Sequence, residues 1–177
     1  VIFAGDNGLA LGQHGLLGKQ NLYEHSVRVP LIFRGPGIPA GRKSDALCYL
    51  FDLFPTVCEL TGVAIPETVD GQSLLPILHG TQAKIRDTIF AAYRNVQRMV
   101  RDERWKLIAY PKANRVQLFD LAQDPFEMHD LAGDPRHTAK LQQLRAKLRQ
   151  LQQHYGDPMI RPPIENAQLD PAVPLAR

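Results

Sequence analysis

The stretch from Thr88 to Leu121, TIFAAYRNVQRMVRDERWKLIAYPKANRVQLFDL, holds four short runs rich in β-branched, aromatic and other apolar residues, separated by turn formers. The runs fall at roughly 88–94, 97–101, 105–110 and 116–120. Asp102-Glu103-Arg104 turns the chain between the second and third, and Pro111-Lys112-Ala113-Asn114 between the third and fourth. Sequential strands joined by such short links predict an antiparallel meander. Just downstream, Asp134 and Pro135 make a helix start, and Leu141, Leu144, Leu148 and Leu151 recur at spacings of three, four and three. That stripe predicts a helix covering one face of the meander, each buried leucine contributing about 1.5–3 kcal/mol at most.

Upstream the pattern differs. Val1 to Ala4 is a continuous apolar run that exits into Gly5-Asp6-Asn7-Gly8, as expected of a parallel strand buried on both faces. Val27 to Phe33 is a second strand candidate, with Pro30 placing it at an edge or strand start and Gly35-Pro36-Gly37 ending it. Asp52 is positioned to cap a helix over 53–61, with Pro55 in its first turn, Gly62 past its end, and Phe54, Val57, Cys58 and Thr61 facing inward. Residues 63–87 read as loop with a short helical turn around Ser73–Leu78. From Gly156 onward five prolines in 22 residues predict a tail that wraps the surface or is disordered.

Composition bounds the function. The chain has 177 residues, 44% hydrophobic and 22% charged, with a net charge of +3, which is globular and close to average. No apolar run approaches the roughly 20 residues of a membrane span. Residues 136–154 carry five basic and no acidic groups, but without interleaved aromatics they read as a solvated helix face, so no nucleic-acid partner is expected. Two cysteines, Cys48 and Cys58, make neither a disulfide framework nor a metal spacing and read as small buried thiols. The chain opens on Val1 with no initiator Met and no leader, which is expected of a piece of a longer protein.

The residues with chemistry lie in the first 35. Asp6 and Asn7 sit at the carboxyl end of the first strand, where open α/β sheets place their ligands. One charged and one neutral oxygen side by side suit a hard cation such as Ca²⁺ or Mg²⁺ rather than zinc, and they are only part of the six or more oxygens it takes. Glycines at 8, 12, 15 and 18 give a backbone able to fold over a site, and Lys19 can deliver a fixed cation to an anionic substrate group. Fixed cation plus metal is what a reaction developing charge on a sulfuryl or phosphoryl group requires.

Asp6-Asn7-Gly8, Leu11-Gly12-Gln13-His14-Gly15, Gly18-Lys19, Tyr23-Glu24 and Arg28-Val29-Pro30-Leu31-Ile32 together resemble the C-terminal half of the sulfatases, within the alkaline-phosphatase-like superfamily. The series continues through Asp52-Leu53-Phe54-Pro55-Thr56, Gly62-Val63, Asp70-Gly71-Gln72-Ser73-Leu74, Lys106-Leu107-Ile108 and Leu118-Phe119-Asp120-Leu121 to Asp124-Pro125 and Glu127, so the resemblance covers about residues 1–155.

It implies an α/β fold: the C-terminal part of an alkaline-phosphatase-like α/β/α sandwich over 1–87, a small α+β subdomain of four antiparallel strands and a helix over 88–155, and a proline-rich tail over 156–177. It implies that Asp6 and Asn7 are two ligands of a divalent cation, usually calcium, and that Lys19 contacts the substrate sulfate. His14 is a candidate catalytic residue that could equally support the site or simply pack. Glu24 and Arg28 read as structural, holding the loop onto the sheet.

The implied activity is hydrolysis of sulfate esters by a formylglycine nucleophile. Cys48-Tyr49-Leu50-Phe51 and Cys58-Glu59-Leu60-Thr61 both lack the C-x-P-x-R-type motif from which it is made. The nucleophile, the remaining metal ligands and a leaving-group histidine are therefore expected before Val1, and the chain alone is expected to be inactive. A phosphonate or phosphate ester hydrolase of the same superfamily, and a non-catalytic truncated or structural module, remain the alternatives. The expected partner is a sulfated small molecule or carbohydrate, and the expected location of the whole protein periplasmic, secreted or lysosomal.

Overall fold

A computed structural model describes residues 1–160. The chain begins with strand β1 (Ile2–Ala4) and a small hairpin of β2 (Ala10–Leu11) and β3 (Leu17–Gly18). One helical turn, α1 (Glu24–Val27), and strand β4 (Leu31–Phe33) follow. Next come the helices α2 (Leu53–Thr61) and α3 (Leu75–His79), then strands β5 (Ile89–Tyr93), β6 (Gln97–Arg101), β7 (Trp105–Tyr110) and β8 (Arg115–Asp120), and the long helix α4 (Thr138–His154). The tail expected over 156–177 lies outside the described residues from 161 onward.

The four strands β5 to β8 form the antiparallel meander in sequence order. Asp102 makes its turn as the sequence suggests, its Oδ1 accepting from Arg104 N at 2.9 Å and Trp105 N at 2.5 Å. Strand alternation sends Val100, Leu107 and Leu118 to one face, where they pack with Leu141, Leu144 and Leu148 of α4 in one core. Asp134 starts that helical segment by accepting from Arg136 N at 2.9 Å, with a short 3-10 turn at Pro135–His137 before α4 proper.

The other face of the sheet is covered too. Met99, Ile108 and Phe119 pack against Leu22 and Tyr23, with Leu16 and Val27 around them. The glycine-rich region near the amino terminus is thus docked on the meander opposite α4.

Three expectations are corrected. First, β1 is not a two-face-buried parallel strand: it pairs antiparallel with β4, and the facing residues Phe3 and Ile32 are 58% and 57% exposed. Residues 27–30 are not strand, because Val27 closes α1 and β4 begins only after Pro30, which has no N–H for a ladder.

Second, α2 has the expected bounds but turns a different face inward. Pro55, Thr56 and Cys58 are buried, whereas Phe54, Val57 and Leu60 are exposed. Its Thr56 hydroxyl donates to Asp52 O at 2.6 Å and accepts from Leu74 N at 2.8 Å, so hydrogen bonding selects the buried side. Third, Asp52 does not cap α2 with its side chain. Fully buried, its carboxylate accepts from Tyr49 N at 2.7 Å and Gln72 N at 2.9 Å and is gripped by both terminal nitrogens of Arg86. Tyr49 in turn spans to Phe90, accepting from its N–H at 2.7 Å and donating to its carbonyl at 3.0 Å.

Among the described residues no helix is long and apolar enough to cross a membrane. Cys58 is buried, and Cys48 is half-buried with burial pushing its thiol pKa up.

Candidate functional site

The Asp6-Asn7-Gly8 turn leaves β1 directly. Gly5 N donates to Pro30 O at 3.1 Å, and Gly8 N donates to Ser26 O at 2.9 Å, so the turn lies flat against the end of α1. Only glycine fits at position 8, where a Cβ would stand 1.9 Å from the His25 carbonyl oxygen. The Asp6 and Asn7 side chains are exposed, and Asp6 Oδ1 accepts from Asn7 N at 2.8 Å.

Both side chains offer hard oxygen donors. Among the described residues no group of three or more His, Cys, Asp or Glu side chains stands ready to hold a metal. The donor set therefore fits a contribution of two ligands to a hard cation, not a complete shell. Two polar atoms beside the turn, Ser26 Oγ and His25 Nε2, are buried without a hydrogen-bond partner among the described residues. Burial, then the neighbouring His14 and Lys106 charges, hold the His25 imidazole below its ordinary pKa.

Lys19 follows β3 at once. It is exposed, has no ion-pair partner among the described residues, and its carbonyl accepts from Asn21 N at 2.9 Å. The hairpin before it is built on left-handed backbone: Gly12 and Gly18 take φ of 112° and 98°, and His14 takes 55°. The His14 ring lies on Tyr23 with centroids 3.9 Å apart and planes 4° from parallel, and its Nε2 stands 3.1 Å from the Phe126 carbonyl oxygen. The structure thus puts Asp6 and Asn7 together at the turn and seats that turn against the segment that follows Lys19. It places His14 on the side of the hairpin that meets the meander.

Behind α1 lies a charged cluster in which the sequence alone gives a structural role only to Glu24. Lys106, with no exposed surface, reaches Glu24 Oε1 at 3.0 Å and Glu127 Oε1 at 2.7 Å. The Glu127 contact is a charge contact outside hydrogen-bond angles. Arg101 holds Glu24 Oε2 at 2.6 Å, and Glu24 N donates to Glu127 Oε2 at 2.6 Å. Burial pushes the Glu127 carboxyl pKa up, more than Lys106 pulls it down.

Glu24 therefore does tie the loop to the sheet. Arg28 does not, being exposed with no ion pair among the described residues. Lys106 was visible as a lysine inside the apolar run Trp105-Lys106-Leu107-Ile108, in a strand whose two faces both need covering.

Comparison with known proteins gives likenesses for the chain as a whole. The profile of the family described as N-sulphoglucosamine sulphohydrolase, C-terminal, matches residues 12–154. Arylsulfatase K of Xenopus laevis is 32% identical over 166 residues, covering 85% of this chain and 31% of that protein. A crystal structure of a putative sulfatase from Bacteroides thetaiotaomicron superposes with a TM-score of 0.80 at 34% identity, over 89% of this chain and 36% of that one. The crystal structure of phosphonate monoester hydrolase of Agrobacterium radiobacter gives 0.73 at 30% identity, over 87% and 35%. The chain spans about a third of the length of the curated relatives it matches.

Proposed function

This chain belongs to the N-sulphoglucosamine sulphohydrolase C-terminal family, and on that premise we propose that it forms the C-terminal part of a hydrolase of sulfate esters, carrying part of the active site. Asp6 and Asn7 coordinate a divalent cation, Ca²⁺ or Mg²⁺, and Lys19 meets the anionic oxygens of the sulfate. The observation that carries this reading is the close seat of Gly8 on His25 and Ser26, which fixes the Asp6-Asn7 turn against the segment that follows the Lys19 hairpin.

When bound, the cation polarises the sulfuryl oxygens and stabilises charge that develops as the ester bond breaks. The Lys19 ammonium adds a second positive charge for the sulfate oxygens as negative charge develops on them, and such a charge acts best where the fold positions it before the reaction begins. Neither cysteine suits a nucleophilic role, since one is buried and the thiol pKa of the other is pushed up. The nucleophile, a formylglycine, and the remaining ligands belong to the part of the protein outside this chain. The substrate is a sulfated small molecule or carbohydrate, a class the family description supports, and the whole protein is periplasmic, secreted or lysosomal.

A second reading, hydrolysis of phosphonate or phosphate esters, is favoured by the likeness to phosphonate monoester hydrolase. One assay series separates them. The full-length protein is given an aryl sulfate and a phenyl phosphonate monoester, with Asp6→Ala and Lys19→Ala alongside. Preferred turnover of the sulfate, lost in both variants, is expected. Preferred turnover of the phosphonate selects the second reading, and undiminished activity in both variants removes the assigned roles.

A further inference from the structure

We propose that His14 is a positioning residue: its Nε2–H, donated to the Phe126 carbonyl, latches the β2–β3 hairpin to the turn after β8, so that the antiparallel sheet sets where Lys19 stands. The proposal rests on the reading of Lys19 given above.

Two strained residues flank this one hydrogen bond. His14 has φ 55° on the hairpin, and Glu127, next to Phe126, has φ 58° on the turn. Left-handed backbone is uncommon for residues other than glycine and persists where the surroundings over-determine it. Here they do so on both sides. Glu127 is held by its contacts with Lys106 and the Glu24 N–H. The turn continues β8, with Asp124 N donating to Asp120 O at 2.7 Å and Glu127 N to Asp124 O at 3.1 Å.

On the hairpin side, the His14 ring is fixed against Tyr23, whose hydroxyl donates to Gln117 Oε1 of β8 at 2.8 Å. Both supports of the ring therefore lead to the same strand or its immediate continuation. A carbonyl can only accept, so the bond requires the proton on Nε2. Lys19 lies five residues beyond His14 and one beyond β3, so freedom gained at His14 passes directly to the lysine. Misplacement of a charge-stabilising group by about 1 Å can cost about 100-fold in rate.

The test uses the full-length protein with two substitutions. His14→Phe keeps a ring to stack on Tyr23 and removes the donor, and His14→Gln supplies an amide donor near the Nε2 position. Backbone hydrogen exchange of residues 10–19 is expected to rise about five-fold in His14→Phe, the worth of one hydrogen bond, and to stay near wild type in His14→Gln. Sulfate-ester turnover is expected to fall in kcat more than to rise in KM for His14→Phe, with recovery in His14→Gln, because Lys19 acts on charge that develops during the reaction.

Unchanged exchange in His14→Phe, or equal loosening in both variants, overturns the latch whatever the activity. Loosened exchange with unchanged kcat overturns its positioning of Lys19. A wild-type protein that hydrolyses no sulfate ester, yet shows the expected exchange pattern, leaves the latch standing and removes the sulfatase reading instead.

Discussion

Replacing Lys106 by Met removes the cation that Glu127 touches while keeping a stem of similar length in the same space. In the native structure the ammonium is fully buried between Glu24 Oε1 and Glu127 Oε1, at 3.0 and 2.7 Å. Glu24 keeps Arg101, but Glu127 is left with the Glu24 N–H alone. Breaking a buried pair by deleting one partner costs about 3–5 kcal/mol. At about 2–4 °C per kcal/mol for a chain of this size, the midpoint should fall by about 6–20 °C.

The deficit should depend on pH. A carboxyl whose folded pKa is raised binds more protons folded than unfolded, so stability falls as pH rises from the unfolded value, about 4.3, through the folded one. Burial already raises the Glu127 value in the native protein, and loss of Lys106 raises it further. Lys106→Met should therefore be more damaging at pH 7 than at pH 5, and Lys106→Met with Glu127→Gln should recover much of the loss. The assay is urea unfolding followed by the fluorescence of Trp105, the single tryptophan, which packs against the core under α4. A deficit below about 1 kcal/mol at pH 7, where buried-pair breakage predicts several, would refute the reasoning. So would a deficit equal at both pH values, or a double variant no better than the single one.

Asp52→Asn should lower stability by a similar several kcal/mol, since the fully buried carboxylate faces both Arg86 nitrogens and two backbone donors; thermal unfolding checks it. Asp157, paired with Arg98, has its pKa pulled down to about 2, so its stabilisation is present above the unfolded value near 4 and lost as pH falls toward 2. Acid unfolding of Asp157→Asn should lack about 2 kcal/mol of that pH dependence. The exposed apolar residues Phe3, Ile32, Phe54, Val57 and Leu60 predict that the 177-residue chain self-associates. Light scattering after size exclusion should show this, and Phe54→Glu with Val57→Glu should reduce it.

Much of the fold is legible because its local rules agree. The meander follows from strand-forming runs cut by Asp102 and Pro111, and α4 from a leucine stripe behind Asp134-Pro135, and each lies within a few residues of where its pattern points. The first half is less legible because an apolar pattern states that a surface seeks cover, not which neighbour supplies it. Val1 to Ala4 read as buried, yet β1 meets only β4 among the described strands. The apolar period of α2 pointed to Phe54 and Val57, while Thr56 and Asp52, linked by hydrogen bonds, define the side turned inward. At the candidate site, Asp6, Asn7 and Lys19 stood out by residue type at a strand end and in a glycine-rich loop. The His14–Phe126 contact and the Lys106 cluster did not, because they tie His14 and Glu24 to partners more than 75 positions away and depend on left-handed backbone at His14 and Glu127.

The central claim, that the Asp6-Asn7 turn and the Lys19 hairpin serve one anionic site, is tested most directly by a crystal structure of the full-length protein with Ca²⁺ and a sulfate ester bound. The account predicts the cation at roughly 2.3–2.6 Å from oxygens of both Asp6 and Asn7, with the Lys19 ammonium on an oxygen of the same sulfate. A cation bound away from Asp6 and Asn7, or a sulfate that Lys19 does not touch, would contradict it.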